Sequence, residues 1–208
     1  MLLLDAEARG LVTVNGLLML VAQAKEASEW FQGKALDDGL ISTIHTALRR
    51  RTENIVLIGM PGSGKTTVGK ALADRLGKTF VDADEELVKM AGKPIPEIFA
   101  EDGEEVFRAW ETKVLKELGK KSGLILSTGG GCVTKERNYP LIHQNGTIFW
   151  LKRDLNKLPT DGRPLSQAGK LAAMYEIRRP LYAAFADTVI DNDAALEDTL
   201  AQIMEELK

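Results

Sequence analysis

The chain has 208 residues, enough for one domain or slightly more, and it is 44% hydrophobic and 27% charged, as an ordinary globular protein is. Its net charge of −3 and pI of about 5.6 argue against a nucleic-acid partner, which calls for a basic excess, but leave room for a local basic pocket. The single cysteine, Cys132, excludes an internal disulfide and suits a reducing, cytoplasmic compartment. The start, Met1 to Arg9, lacks a basic leader and meets acid early, and the apolar run Leu17–Ala22 is too short to span a bilayer, so no membrane partner is expected.

In chain order, an apolar piece, Leu11–Val14, and the pair Asn15-Gly16 precede an amphipathic helix expected over about 17–30. A second helix is expected over about 38–50; the polar run Arg49–Glu53 can serve as a linker, but Arg49–Arg51 are better read as a solvated helix end helped by the dipole. Residues 1–50 thus form a helical extension outside the unit that follows. Its apolar face, with Leu17, Leu20, Val21 and Ala24, is expected to pack on the rest of the chain or on a second copy.

From Asn54 onward strand and helix alternate. Strands are predicted at 54–59, 79–82, 124–128, 147–151 and 187–191. Helices are predicted at 65–77, 84–91, 95–101, 104–121, 134–145, 171–186 and 194–207. Such alternation builds a parallel sheet with helices on both faces. The first strand runs into Gly59-x-x-x-x-Gly64-Lys65-Thr66, the phosphate-loop pattern. Gly62 and Gly64 let the backbone curl around Ser63 so that N–H groups point inward, and the next helix adds its positive end. Lys65 can reach the β- and γ-phosphates, the Thr66 hydroxyl can ligate Mg²⁺, and Thr67 completes the nucleotide-binding run.

Asp82 and Asp84 follow the second predicted strand at its carboxyl end, where ligands bind in open α/β sheets. Asp82 suits the waters of Mg²⁺, and Asp84 suits substrate hydroxyls; the plainer alternative is that Asp84 caps the following helix. Arg108 lies among Phe99, Phe107 and Trp110, with Glu111 one helical turn on. Its fork can meet a carboxylate while Glu111 orients it; otherwise the two form a surface ion pair. Gly129-Gly130-Gly131, at the end of the third predicted strand, offers bare N–H groups and close approach, or simply a tight turn. Cys132 reads as a small buried residue, and His45 and His143 as structural or surface. The breaker-rich stretch 158–165 reads as a flap whose Arg163 can meet transition-state charge. Of Arg178 and Arg179, one is expected to face the site.

Taken together, Gly59–Thr66, Asp82-Ala-Asp84, Glu105–Arg108 with Glu111, Gly129–Gly131, Arg163-Pro-Leu and Arg178–Tyr182 resemble shikimate kinases, over about residues 54–207. The resemblance implies a nucleoside-monophosphate-kinase-like phosphate-loop fold, an α/β architecture with a five-stranded parallel sheet. It implies transfer of the γ-phosphate of MgATP to the 3-hydroxyl of shikimate, in aromatic amino acid biosynthesis. It further implies that Lys65, Asp84 and Arg163 are catalytic and that Gly62–Thr67 with Arg163 bind ATP. Asp84, Arg108, Gly129–Gly131 and Arg178 then bind shikimate, with both arginines on its carboxylate, and Thr66 and Asp82 serve the metal. The kinase domain takes 54–208, with a lid around 155–168 and a core expected to be monomeric.

The stretch from Gly131 to Arg163 is shorter than in the family and lacks a further lid arginine, leaving Lys157 there; the turn Asp191–Ala195 lacks a basic residue. Weak nucleotide affinity or loose ATP selectivity is therefore expected. The alternatives are a related kinase of the gluconate kinase type and a non-catalytic nucleotide-binding module. Ala8–Ala24, with Trp30 and Gly33, resembles the C-terminal end of shikimate dehydrogenases, with Gln23 matching a substrate-side Gln. That resemblance implies a remnant or fragment of a two-enzyme fusion without dehydrogenase activity.

Overall fold

The computed structural model describes residues 2–7, 9–158 and 168–207. It divides into two compact units, residues 1–52 and 53–208.

In the first unit, α1 (Leu2–Glu7) precedes a helical pair, α2 (Leu17–Gln32) and α3 (Gly39–Thr52). Asn15 Oδ1 accepts from Leu17 N at the start of α2, and Gly33 ends it in the left-handed conformation that glycine adopts without strain. Glu29 joins the pair by accepting from Lys25 Nζ and from Leu36 N, and Lys25 also pairs with Asp38 at 2.8 Å. Only Val21 of α2 is buried and no residue of α3 is, while Val12, Trp30 and Phe31 are more than four-fifths exposed. Arg49–Arg51 form the end of α3, as expected, and the helix continues through them to Thr52, because three cations in a last turn complement the helix's negative end.

The second unit is a five-stranded, all-parallel sheet in the order β2-β3-β1-β4-β5. Its strands are β1 (Asn54–Ile58), β2 (Thr79–Asp82), β3 (Leu124–Ser127), β4 (Gly146–Lys152) and β5 (Thr188–Asp191). β1 is central and buried throughout, as a strand covered on both faces must be. Its side chains alternate. Ile55 and Leu57 pack with Val68, Leu72, Leu200 and Ile203 of α4 (Lys65–Leu76) and α10 (Leu196–Glu206). Val56 and Ile58 pack on the other face with the helices between β2 and β5. These are α5 (Ala83–Ala91), α6 (Ile95–Glu101), α7 (Gly103–Leu118), α8 (Tyr139–His143) and α9 (Ala168–Phe185).

The helix predicted at 134–145 is instead two single 3₁₀ turns, Cys132–Thr134 and Glu136–Asn138, followed by the short α8. Pro140 explains the break, since proline fits the first turn of a helix and not its interior. Asn138, fully buried, ties the broken stretch down: its Nδ2 donates to Cys132 O and its Oδ1 accepts from Thr112 of α7.

Asn54 locks the amino ends of the strands. Its Nδ2 donates to Lys121 O and its Oδ1 accepts from Leu124 N, both at 2.8 Å. Asn54→Ala leaves both partners unsatisfied and is expected to cost about 1–3 kcal/mol, read by chemical denaturation; a loss below about 0.5 kcal/mol would mean that water replaces the amide.

No helix among the described residues is long and apolar enough to cross a membrane.

Candidate active site

The carboxyl ends of the strands converge on the loop 59–64, between β1 and α4. Gly59, Gly62 and Gly64 all have positive φ, and a Cβ at Gly59 would meet Leu151 O and Ser63 Oγ within 2.9 Å. This loop is thus confined to glycine by both backbone conformation and space. Lys65 is buried, and its Nζ donates to the carbonyls of Gly59 and Met60, at 3.0 and 2.9 Å. Asn192, in the turn after β5, braces the loop from behind: its Nδ2 donates to Ser63 O at 2.6 Å and its Oδ1 accepts from Thr199. Thr66 and Thr67, in the first turn of α4, are exposed.

At the end of β2 the two aspartates divide their work. Asp82, not Asp84, caps α5: its Oδ1 accepts from Asp84 N at 3.0 Å. The helix begins at Ala83, so Asp84 stands in its first turn rather than on extended backbone. Asp82 Oδ2 accepts from the Thr66 hydroxyl at 3.1 Å. This pairs a hydroxyl and a carboxylate beside the phosphate loop, the hard oxygen donors that Mg²⁺ prefers. Among the described residues no group of three or more His, Cys, Asp or Glu side chains could hold a metal, so such an ion would draw its other ligands from water and phosphate.

The three glycines after β3 are there for space. Gly131 has a φ of −105°, open to any residue, but a Cβ there would fall on the Arg108 guanidinium. A Cβ at Gly130 would stand 2.6 Å from the Pro61 ring of the phosphate loop. A Cβ at Gly129 would stand 2.7 Å from Asp84 Oδ1 and 3.0 Å from Glu111 Oε1. Asp84, Glu111, Arg108 and the phosphate loop thus all crowd one bare stretch of backbone. Arg178 of α9 joins them, donating from Nη1 to Gly130 O at 3.1 Å, while Arg179 is exposed. The Tyr182 hydroxyl donates to the same carbonyl and lies 3.7 Å from Met60 Sδ.

Arg108 is nearly inaccessible, at 5% exposure, as is Glu111 at 2%, so theirs is no surface ion pair. Nη1 donates to Glu111 Oε2 at 3.0 Å and Nη2 to Glu104 Oε1 at 3.1 Å. Carboxylates hold the guanidinium more than aromatics do: the Phe107 ring is 5.1 Å away, and Trp110 lies under Lys113 instead. Arg108 Nε and Glu111 Oε1 are buried without a hydrogen-bond partner. Burial opposes the charge on Arg108, but Glu111 and Glu104 outweigh it and raise its pKa. Burial pushes the Glu111 carboxyl above its ordinary range, against the pull of Arg108 and with a contribution from Asp84. Burial likewise pushes the Cys132 thiol up to about 12, which makes it inert.

Arg163 and most of the expected lid at 155–168 lie outside the described residues. Sequence reasoning missed the roles of Glu104, Tyr182 and Asn192 in holding this site. Glu104 sits four residues before Arg108, a spacing that pairs charges on a helix. Nothing local marks the other two, whose partners are 52 and 129 residues away.

A glycine-rich cradle between a central parallel strand and a helix, with acid and guanidinium groups beside it, defines a phosphate-loop kinase. The shikimate kinase family profile matches residues 61–208. The chain is 40% identical over 179 residues to a shikimate kinase of Parasynechococcus marenigrum, covering 80% of this chain and 93% of that protein. It is 40% identical over 162 residues to one of Neisseria meningitidis serogroup C, covering 74% and 95%. Among solved structures, a shikimate kinase from Acinetobacter baumannii in complex with shikimate superposes with a TM-score of 0.70 at 36% identity, covering 78% of this chain and 96% of that one. The Aquifex aeolicus enzyme gives 0.65 at 34%, covering 74% and 95%. A gluconokinase from Sinorhizobium meliloti, at 17% identity and a TM-score of 0.50, shares the fold alone. The chain belongs to the shikimate kinase family.

Proposed function

We propose that this protein transfers the γ-phosphate of ATP to the 3-hydroxyl of shikimate, a step of aromatic amino acid biosynthesis in the cytoplasm. The observation that carries the reading is the crowding of Asp84, Arg108 and Arg178 around Gly129–Gly131, against the phosphate loop. Membership of the family supplies the substrate.

In this reading Gly62–Thr67 bind the polyphosphate through backbone N–H groups. Lys65 leaves its carbonyl partners for the β- and γ-phosphates. Thr66 and Asp82 serve Mg²⁺, which when bound neutralises phosphate charge. Arg108 and Arg178 hold the shikimate carboxylate, and the Gly130 N–H contacts the ring substituents. Asp84 orients the 3-hydroxyl. As its oxygen bonds to the γ-phosphorus, the bond to the β-phosphate bridging oxygen breaks, ADP leaves with that electron pair, and Asp84 accepts the hydroxyl proton. Arg163 meets the charge that develops on the transferring group. The transition state is loose and highly charged, so alignment and fixed cations do most of the work and no strong base is required.

A coupled assay of ADP release with shikimate, gluconate or no acceptor tests the reading. Turnover with shikimate alone is expected; equal turnover with gluconate, or none above the background without acceptor, would contradict it. Within the site, Gly131→Ala is expected to displace the Arg108 guanidinium. It should raise KM for shikimate roughly tenfold or more, the weight of one charge-assisted hydrogen bond, with KM for ATP unchanged. Equal shifts in both constants would place the damage in the phosphate loop instead.

For the first unit we propose a likeness to the C-terminal tail of shikimate dehydrogenases, as in a two-enzyme fusion. What supports it is the Asn15–Ala24 stretch and an apolar surface, including Trp30 and Phe31, suited to covering another core.

A further inference from the structure

Lys157, the cation that the sequence leaves beside the lid, is engaged elsewhere. Its Nζ donates to Asp193 O at 3.0 Å and stands 3.5 Å from Asp193 Oδ1. The same Oδ1 accepts from Asp154 N at 2.9 Å. The segment after β4 is thereby tied to the turn after β5, and Lys157 is spent in the tie.

Arg153, immediately after β4, is placed differently. Its Nη1 lies 3.7 Å from where a Cβ on Gly64 would stand, against the glycine that begins α4. Its Nε is buried with no hydrogen-bond partner, and among the described residues it has no carboxylate in ion-pair contact. Asp193, the acid whose carboxyl Arg153 helps to lower, is taken up by the Asp154 N–H and by Lys157. A partly desolvated guanidinium beside the positive end of a helix is unfavourable in isolation, and an anion at the same point reverses the sign.

The ends of β2 and β3 carry the acceptor side of the site, with Asp84 and Gly129–Gly131. The ends of β4 and β5 are left for the nucleotide, and Arg153 stands there. We propose that Arg153 contacts the polyphosphate of the bound nucleotide from the β4 side. The inference rests on the kinase reading above and replaces the expectation of weak nucleotide affinity.

Calorimetric titration of the full chain with MgADP, for wild type, Arg153→Gln and Arg153→Lys, tests it. Arg153→Gln is expected to weaken MgADP roughly tenfold or more, as loss of a charge-assisted bond to phosphate does. Arg153→Lys should fall between, because an ammonium keeps the charge and loses the fork. KM for ATP should rise in step while KM for shikimate and the thermal midpoint stay at wild-type values. MgADP affinity equal to wild type in Arg153→Gln would overturn the proposal, as would a parallel rise in KM for shikimate. An equal proportional loss of adenosine affinity would move the contact to the nucleoside and overturn the phosphate assignment. A wild-type chain that binds MgADP but phosphorylates no shikimate would sink the kinase reading, while the calorimetry would still decide the fate of Arg153.

Discussion

Asp84→Asn is expected to lower kcat by about 10²-fold or more, the usual scale for removing a positioned proton acceptor, with little change in MgADP affinity. Asparagine matches the carboxylate in shape and can still meet a hydroxyl, but it cannot take the proton that the 3-hydroxyl loses. The helix start should survive, since Asp82 caps α5 through the Asp84 backbone N–H and not through its side chain. A kcat within about threefold of wild type in steady-state assays would remove Asp84 from the chemistry and leave it a binding group.

Arg108→Ala is expected to do two separable things. It removes a charge-assisted contact to the substrate carboxylate, worth about 1.5–3 kcal/mol of shikimate affinity. It also strips Glu111, at 2% exposure, of its only hydrogen-bonding cation among the described residues, and breaking a buried pair costs about 3–5 kcal/mol of stability. Adding Glu111→Gln should therefore restore stability in chemical denaturation without restoring shikimate binding in calorimetry. Equal shikimate affinity in wild type and Arg108→Ala would make Arg108 a structural residue only.

Much of this architecture is legible in the sequence because its signals are local. The apolar run before Gly59-x-x-x-x-Gly64-Lys65-Thr66 marks the central strand and the start of α4, and each of the five strands lies within a residue or so of its predicted place. The order β2-β3-β1-β4-β5 has no local signal, since it depends on which edges meet. Residues 134–145 read as one helix because the apolar spacing is right, yet Pro140 can only begin a helix, so the chain turns twice first.

The site was legible as a set of residue types more than as a set of reasons. Three glycines in a row suggested bare N–H groups, whereas the structure shows that their missing Cβ atoms leave room for Asp84, Pro61 and Arg108. Glu111 could be read from its spacing as the group that orients Arg108, and it does hold the fork, but with Glu104 as a second carboxylate. Lys157 stood out as a cation near the lid and Arg153 did not, because the engagement of one by Asp193 and the position of the other beside Gly64 exist only once β4 and β5 lie side by side.

The central claim is that two guanidinium groups fix a small hydroxy-acid by its carboxylate in line with the phosphate loop. Titrating the wild-type protein with shikimate and with shikimate methyl ester tests it most directly. Loss of the ester's negative charge should weaken binding by roughly 10²-fold or more, the sum of two charge-assisted contacts. Equal affinity for acid and ester would contradict the account.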